Sequence, residues 1–540
     1  MLIALTTLAI MLLLVLGWAN IAVNLLHHLF KAEKQESMSF AMQLILGITL
    51  CTGVLRYVHF FHALDFTIWL FFMLIPVVFS IKYIQTILLK GISKAKTHPK
   101  LLLLFGLFLL LTILNVSSTP LAYDTGTYHL QAIQWNEKYG IVPGLANLIR
   151  QLGFNSNWFI WQALTGGNHL GLSSLYTANA FLYLVICAGF IYELKHVKNP
   201  FPTLWFLLAM VVIGGVKYVG SVSPDLPVLL LSAYCIWLYY KNRKESLPNP
   251  LTLAFITILP LFLITIKISA VPVLLITLFQ LTHSYKTRLF KPLLTLCFIT
   301  GFFWVLPWVI GNIILSGYIV FPSQLLDVFN FDWKVPDFLI IDEQHSIKGW
   351  ARVPYQESNT IAQMGAAQWI PLWWKQLAVY NKITGITGLG LYFYLLVKKA
   401  SARTTLIPIG AGIAFWFVNA PDFRFVYGYL LPLTAIFFAE TNWSITQLQK
   451  NKNILQLILG VVTLMIGVFV FQHKNNIALI RPLPYPTPNK NRIPIKGTSV
   501  LFATWDEKCW DAPLPCTCEF YEGLELRGDN LQSGFRIRGK

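Results

Sequence analysis

Charged residues at the edges of long apolar runs are the first candidates for chemistry in this sequence. They are Asp124 in TPLAYDTGTYHLQAIQWNEKYG, Asp225 in SVSPDLP, Lys267 in TIKISA and Arg424 in APDFRF. A charge at the end of an apolar segment is costly unless it faces water or protein, so such residues are functional candidates. The planar fork of Arg424 suits a phosphate group. His129, in the same segment as Asp124, is a fifth candidate.

Each of these residues also has a purely structural interpretation. Asp124 and Asp225 both precede a predicted helix, and Asp is a favoured N-cap residue. Lys267 interrupts an otherwise apolar region and could reach water by extending its side chain. Arg424 could pair with Asp422, two residues away. The sequence leaves both interpretations open at each position.

The composition is that of a membrane protein with many spans. Of 540 residues, 56% are hydrophobic and only 12% are charged, and the mean hydropathy is +0.60. Apolar runs long enough to cross ~30 Å of hydrocarbon as helices recur along the chain. We therefore expect an all-α polytopic fold with about fourteen transmembrane helices. The predicted spans are 2–28, 40–58, 66–89, 101–116, 171–192, 202–220, 226–240, 250–266, 269–283, 292–315, 383–397, 404–419, 425–440 and 454–472.

The distribution of charge predicts which span ends share a side. The net charge is +18, but Lys and Arg follow the span ends and do not form one basic face, so nucleic-acid binding is not expected. The positive-inside rule makes the basic loops cytoplasmic. These loops are 31–36, 82–100, 195–198, 241–244, 286–291, 398–403 and 450–452. The first residues lack the basic region of a signal peptide, so the N-terminus is predicted to lie outside on a retained span.

Three outer segments are then long enough to carry a site, namely 117–170, 316–382 and the tail 473–540. In the first, apolar residues recur at helical spacing over 128–139 and 145–152, which predicts two amphipathic helices lying on the membrane surface. The second is rich in tryptophan, which suits either an interfacial belt or the stacking of a sugar ring. Its tryptophans include Trp333, Trp350, Trp369, Trp373 and Trp374.

The cysteines fall into two groups. Cys51, Cys187, Cys235 and Cys297 lie in apolar runs and are most simply small core residues. Cys509, Cys516 and Cys518 cluster in the tail, in CWDAPLPCTC. A disulfide from Cys509 to either of the other two would close a short loop there. A zinc site is the alternative, although no histidine lies nearby to complete four ligands.

The set of motifs resembles the GT-C superfamily of integral-membrane glycosyltransferases, which includes protein O-mannosyltransferases and bacterial aminoarabinose transferases. The resemblance rests on LAYDTGTYHLQAIQW in a long first outer loop, then SPDLP, PWVIGNIILSGYIVFPS and APDFRF, and it covers residues 101–440. YDTGTYHLQAIQWNEKYGIVPGLANL, DWKVP and CWDAPLPC are also similar to an uncharacterised family of large bacterial membrane proteins. The chain is accordingly divided into additional spans (1–100), a GT-C-like core (101–440), a last span (441–472) and an outer tail (473–540).

The resemblance implies an inverting transferase in the bacterial inner membrane, with the tail outside. Its donor is a polyprenyl-phosphate sugar whose phosphate is held by Arg424 and Lys267, with Asp225 and His129 also at the substrate. Asp124 takes the proton from an acceptor hydroxyl on a glycan, lipid or protein. No cofactor is required by the sequence, and a divalent metal is compatible with the resemblance but is not indicated by any residue pattern.

Two other classes of function stay open. A lipid-oligosaccharide flippase or another transporter would suit the number of spans, although no acid lies deep within a predicted span, where ion-coupled carriers usually need one. A polysaccharide polymerase or ligase would be expected to carry paired arginines in a large outer loop, and few arginines are found there. Direct use of a nucleotide sugar is disfavoured, because the chain has neither a DxD pair nor a glycine-rich phosphate loop.

Overall fold

The computed structural model is mostly helical, and its small sheets lie in the tail. It describes residues 1–31, 38–118, 122–171, 175–216, 218–245, 249–441, 452–478, 480, 484–488, 491–504 and 507–538. Within these ranges, six helices are long and apolar enough to cross a membrane, or seven if one bent pair is a single span. The chain therefore has the character of a multi-pass membrane protein.

Every predicted span overlaps a helix, although the predicted span 171–192 begins before α8 and 202–220 extends beyond α9. The helices of the first half are α1 (Leu2–Phe30), α2 (Phe40–His59), α3 (Phe66–Phe79), α4 (Ile81–Thr97), α5 (Pro99–Ser117), α6 (Leu130–Lys138), α7 (Asn157–Thr165), α8 (Ala178–His196), α9 (Phe201–Gly215), α10 (Asp225–Asn242) and α11 (Pro250–Ile266). Those of the second half are α12 (Leu274–Ser284), α13 (Phe290–Thr300), α14 (Leu306–Ser316), α15 (Asp337–Arg352), α16 (Ser358–Gln363), α17 (Ala366–Gln376), α18 (Val379–Lys398), α19 (Arg403–Asn419), α20 (Tyr427–Glu440) and α21 (Lys452–His473).

Some predicted spans are interrupted. The predicted span 66–89 is divided into α3 and α4, which meet at an angle of 76°. The predicted span 269–283 begins as a 3-10 helix, Ile268–Val273, before α12. α13 and α14 are joined through a π-helical turn, Gly301–Val305, so that 290–316 still forms one long apolar helix.

The helix ends meet in two groups at opposite ends of the bundle. At one end, Glu193 pairs with Lys241 at 3.1 Å, and Glu440 pairs with Lys244 at 2.6 Å. At the other end, the amino group of Met1 donates to the carbonyl of Ala478, 3.1 Å away. The first outer loop, the second outer loop and the tail all lie at this second end, which we call the loop end.

The first outer loop differs from the predicted pair of surface helices. A π-helical turn, Thr125–His129, runs directly into α6, which confirms the first helix. The second helix was wrongly predicted, because 145–152 falls in two 3-10 segments, Leu145–Asn147 and Arg150–Phe154, after a turn at Gly144 with φ of 63°. The polar face of α6 is also buried, as Gln131 and Gln134 show. The loop is thus an internal layer and does not lie on a membrane surface.

The tail covers that layer. Its sheets consist of β1 (Arg492–Ile495), β2 (Thr498–Phe502) and β3 (Cys516–Thr517), and of β4 (Leu524–Leu526) paired with β5 (Phe535–Ile537). β1 and β2 are antiparallel, whereas β2 and β3 are parallel. The ring of Phe535 packs edge-on against Trp135 of α6, with centroids 6.0 Å apart. The predicted small appendage is therefore packed into the core of the loop end.

The turn around Cys509 holds the tail onto the motif that carries Asp124. The amide of Trp510 donates to the carbonyl of Gly126 at 2.8 Å. The side-chain amide of Gln131 donates to the carbonyls of Trp510 and Ala512, at 3.1 and 3.0 Å. Gly126 permits this close approach, because a Cβ at that position would lie 2.9 Å from the Trp510 ring and 2.8 Å from the Lys508 side chain. The segment YDTGTYH is thus shaped to fit the tail.

Buried charges join all three outer segments. Arg150 of the first loop makes two hydrogen bonds to Glu519 of the tail, at 2.8 and 3.0 Å, and pairs with Asp342 of the second loop. Glu343 lies 3.7 Å from the same guanidinium group. Removing one member of a buried ionic group typically costs about 3–5 kcal/mol because the others lose their partner. The three segments are therefore expected to fold as one unit.

We expect Gly126→Ala to loosen the tail turn from the motif. The added methyl group would overlap the buried Trp510 ring, and such overpacking typically costs about 1–3 kcal/mol. Hydrogen exchange of the amides in 507–518 should become faster in the variant. Gly106→Ala in α5 is the matched control, since nothing lies within 4 Å of its added methyl group. Unchanged exchange in Gly126→Ala would show that this close contact is not needed.

We expect stability at the loop end to fall as the pH rises toward 8, because of Glu343. Burial raises the pKa of Glu343 from 4.5 to about 8, Arg150 offsets part of this, and Glu519 and Asp342 add to it. The folded protein therefore holds a proton that the unfolded chain releases, and the stabilisation present below pH 4.5 is lost as the pH passes 8. One such proton changes the free energy of unfolding by at most about 1.4 kcal/mol per pH unit.

Thermal unfolding of the detergent-solubilised protein between pH 5 and pH 8.5 measures this effect. Glu343→Gln should flatten the decline because an amide does not titrate. Glu522→Gln, at an exposed position in the tail, should retain the wild-type slope. Equal slopes for wild type and Glu343→Gln would contradict the assignment of the proton to Glu343.

Candidate active site

The structure brings together the four charged residues that the sequence singled out. Arg424 lies between the others: its Nη1 is 3.4 Å from Asp124 Oδ2 and 3.7 Å from Asp225 Oδ2. Asp225 also pairs with the amino group of Lys267. The four residues come from separate segments, and Asp124 and Arg424 are 300 residues apart in the chain. They form a single cluster at the loop end, which we call the charged cluster.

Local structure directs each aspartate into the cluster. Asp124 stands at the N-cap of the π-helical turn, yet its side chain makes no capping hydrogen bond. Asp225 is the first residue of α10, and its backbone amide is satisfied by the Ser223 hydroxyl group at 3.2 Å. The N-cap interpretation therefore fails for both side chains, since their described partners are the basic residues of the cluster.

The two basic residues are fixed by the ends of their helices. α11 ends at Ile266, and Lys267 is in an extended conformation with φ of −160°, which turns its side chain away from the helix axis. Its amino group lies 4.0 Å from the centroid of the Phe425 ring. The guanidinium group of Arg424 lies 4.6 Å from the same centroid. The two cations thus contact one aromatic ring, and such contacts are favourable where water is partly excluded.

Arg424 also pairs with Asp422, as the local interpretation proposed. Its Nε lies 3.1 Å from Asp422 Oδ2, and its backbone amide donates to Asp422 Oδ1 at 3.0 Å. Burial alone would lower the pKa of Arg424, but Asp225, Asp422 and Asp124 raise it, so the guanidinium group is a permanent cation. The local pair and the long-range cluster therefore coexist on one side chain.

The formal charges of the cluster leave an excess of one negative charge. Asp124, Asp225 and Asp422 contribute three negative charges, and Lys267 and Arg424 contribute two positive charges. Within the described residues, no group of three or more His, Cys, Asp or Glu side chains is arranged to hold a metal ion. The space among the three carboxylates is instead filled by the guanidinium group of Arg424.

His129 lies behind the cluster and is only 2% exposed. Its ring contacts Tyr128, with centroids 4.3 Å apart, and Phe159, with centroids 5.3 Å apart. Burial lowers the pKa of His129 to about 4, against the opposing effect of Asp124 and Asp225. The neutral His129 ring is packed among aromatic residues behind the charged cluster and is not exposed on the side of the cluster that faces solvent.

A narrow cavity extends from the charged cluster between α10 and α20. Asp225 and Arg424 line its charged end, next to the ring of Phe425. Its other lining residues follow the helices inward and are mainly apolar: Val228, Leu229, Ser232, Ser269, Gly428 and Tyr429. The cavity therefore joins fixed charge at the loop end to a short apolar lining on two helices, and it has room for about one water molecule.

The cysteines of the tail pair in one of the two predicted ways. Cys509 and Cys516 form a disulfide, and Cys518 is a buried free thiol whose sulfur lies 3.9 Å from that of Cys509. The disulfide closes the turn that contains Trp510, directly beside Lys508. The amino group of Lys508 lies 4.9 Å from the centroid of the Tyr123 ring. Sequence reasoning missed Tyr123 and Lys508 at the site, although both adjoin residues that it had named.

Comparison with known proteins gives a family without an assigned activity. A model of the family described as a domain of unknown function (DUF8201) matches residues 1–431. This segment contains the whole charged cluster and ends before the last helix and the tail. No curated protein and no solved structure matches the chain. Because the match covers well over half of the sequence, the protein belongs to the DUF8201 family.

Proposed function

We propose that this protein is an inverting membrane glycosyltransferase of the GT-C type that uses a polyprenyl-phosphate sugar. The observation that carries the proposal is the convergence of Asp124, Asp225, Lys267 and Arg424 in one cluster, of which Asp225 and Arg424 line a small cavity with apolar walls. In this proposal the chain has fourteen spans in a bacterial inner membrane. The loop end, with the N-terminus and the tail, faces outward, and the glycosylated product belongs to the cell envelope.

The two ends of the cavity suit the two ends of such a donor. The fork of Arg424 and the amino group of Lys267 would bind the phosphate through charge-assisted hydrogen bonds. The apolar residues between α10 and α20, among them Val228 and Leu229, would contact the first prenyl units. A water-soluble nucleotide sugar has no apolar chain to place there. The apolar lining beside the charges therefore favours a lipid-linked donor, and the small cavity would have to widen to admit it.

Asp124 is the proposed general base. Its carboxylate lies at the open side of the cluster, is tied to Arg424 only at 3.4 Å, and is not used to cap its helix. It would take the proton of the acceptor hydroxyl group as that oxygen forms a bond to the anomeric carbon. The bond from this carbon to the phosphate oxygen breaks, and the electron pair leaves on the phosphate. Lys267 and Arg424 stabilise the charge that grows there, and the anomeric centre inverts.

The excess of negative charge has a consequence for donor binding. The phosphate must compete with three aspartates for Arg424, and these aspartates hold the guanidinium group in position for the donor. Such preorganisation lowers the reorganisation needed when charge develops in the transition state. An ion-coupled transporter is less well supported, because the described acids of the cluster lie at the loop end.

We expect Asp124→Asn to abolish sugar transfer while donor binding is retained or tightened. The variant lacks the base, which typically contributes about 10²–10⁴-fold in rate, and it also removes a carboxylate that competes for Arg424. Transfer from a synthetic prenyl-phosphate sugar and binding of the same compound are measured separately. Asp327→Asn, which breaks only the peripheral pair with Lys334, is the matched control. Undiminished turnover in Asp124→Asn would remove Asp124 as the base.

We expect Arg424→Lys to weaken donor binding about tenfold, since lysine keeps the charge but not the planar fork that reaches a phosphate and the aspartates together. The dissociation constant for a prenyl phosphate, measured with the protein in nanodiscs, tests this expectation. Arg538→Lys is the control, as Arg538 is exposed in the tail. Equal affinities for wild type and Arg424→Lys would mean that only the charge matters or that the phosphate binds elsewhere.

A further inference from the structure

Exposed aromatic side chains lie beside Asp124 and are not used by the mechanism above. The rings of Tyr123 and Trp350 are stacked, with centroids 6.3 Å apart and an angle of 18° between their planes. Tyr355 packs edge-on against Trp350, with centroids 5.0 Å apart. We call these three residues the aromatic platform. The first outer loop contributes one of its rings and the second outer loop contributes two.

The platform is open to its surroundings, in contrast to the many buried aromatic residues of this protein. Tyr123 is 49%, Trp350 41% and Tyr355 86% exposed. Tyr355 also has φ of 65°, a left-handed conformation that residues other than glycine and asparagine rarely adopt. Such a conformation costs about 1–3 kcal/mol and is found mainly where function requires it. The backbone is therefore strained at the residue whose ring is presented most fully.

Polar groups adjoin the platform on the sides of the tail and the cluster. Lys508 of the tail lies over the ring of Tyr123, 4.9 Å from its centroid. Lys508 likewise has a positive φ, of 58°, within the turn that is held onto Gly126. Asp124 follows Tyr123 directly in the chain. Aromatic rings are thus combined with a cation over one of them and a carboxylate on the adjoining residue.

This combination matches the chemistry of a sugar ring. A pyranose presents a flat face of C–H groups, which packs on the negative face of an aromatic ring, and hydroxyl groups around its edge, which bond to charged side chains. An acyl chain would need an apolar groove, and a peptide anchor would need a pocket, whereas the platform consists of exposed rings. We infer that the aromatic platform binds an oligosaccharide. Given the proposed function, which this last step assumes, that oligosaccharide is the acceptor, held with a hydroxyl group near Asp124.

The experiment measures oligosaccharide binding directly. The full-length protein in nanodiscs is applied to a printed array of bacterial envelope oligosaccharides, and the dissociation constant of the best binder is then determined by calorimetry. We expect Trp350→Ala and Tyr355→Ala each to weaken binding at least tenfold, and Tyr355→Phe, which keeps the ring, to retain it. Trp374→Ala is the matched control, since Trp374 lies in the same outer segment and is 40% exposed.

Two results would overturn the inference. One is that wild type binds no oligosaccharide on the array. The other is that Trp350→Ala and Tyr355→Ala have the same affinity as the control Trp374→Ala, whether all three lose affinity or all three retain it. Tyr355→Ala is the platform variant least expected to misfold, because a side chain this exposed contributes little to the core. A loss of binding in this variant is therefore not explained by misfolding.

The inference and the proposed function fail in different ways. Asp124→Asn should retain measurable oligosaccharide binding, because the three rings of the platform supply most of the contact and are unchanged in this variant. If oligosaccharide binding depends on the platform but no sugar is transferred from a prenyl phosphate, the proposed reaction is contradicted and the platform inference is retained. If sugar transfer is unaffected by Trp350→Ala and Tyr355→Ala, the platform inference is contradicted and the proposed reaction is retained.

Discussion

The guanidinium group of Arg424, shared among three carboxylates, is the constraint on which the site depends. A buried or half-buried charge in an apolar bundle is tolerated only when its partners are fixed at short distance. Arg424 meets that condition through Asp422, which is local, and through Asp124 and Asp225, which are distant in sequence. The ends of several helices must therefore be in register at the loop end. Misplacing one of them would leave a charge without its partner.

The tail has a larger part in this arrangement than its position at the end of the chain would suggest. Its disulfide-closed turn bonds to the backbone of Gly126, and Gln131 bonds back to the turn. Farther out, Arg150 joins the tail to both outer loops through Glu519 and Asp342. These contacts bury the polar face of α6, so the tail fixes the position of the loop that carries Asp124. The family match ends before the tail, but the tail supports the very motif that the match contains.

Charge and shape divide the loop end into two regions with different chemistry. The charged cluster and its cavity combine cations with an apolar surface. The platform of Tyr123, Trp350 and Tyr355 is instead aromatic and exposed. Asp124 stands between the two, since it pairs with Arg424 and directly follows Tyr123. A carboxylate in that position can act on a group bound at the aromatic platform while its charge is balanced by Arg424 of the charged cluster. The proposed donor and acceptor sites follow from this division.

The sequence by itself determined the helical character, the positions of the apolar segments and the candidate charges. Apolar length predicts helices because an unpaired backbone cannot lie in hydrocarbon, and an isolated charge such as Lys267 is conspicuous because it is costly there. Residues 145–152 misled the same reasoning, because helical spacing of leucines does not reveal the turns that Gly144 imposes or the tail that buries the segment. Only the tertiary structure decided that Cys509 pairs with Cys516, that Lys508 lies over Tyr123, and that Asp124 turns to Arg424 instead of capping its helix. The disulfide joins cysteines only 7 residues apart, but the choice between two possible partners is not encoded in their spacing. The other two outcomes depend on contacts across hundreds of residues, whose energies are set by mutual burial and not by the local pattern.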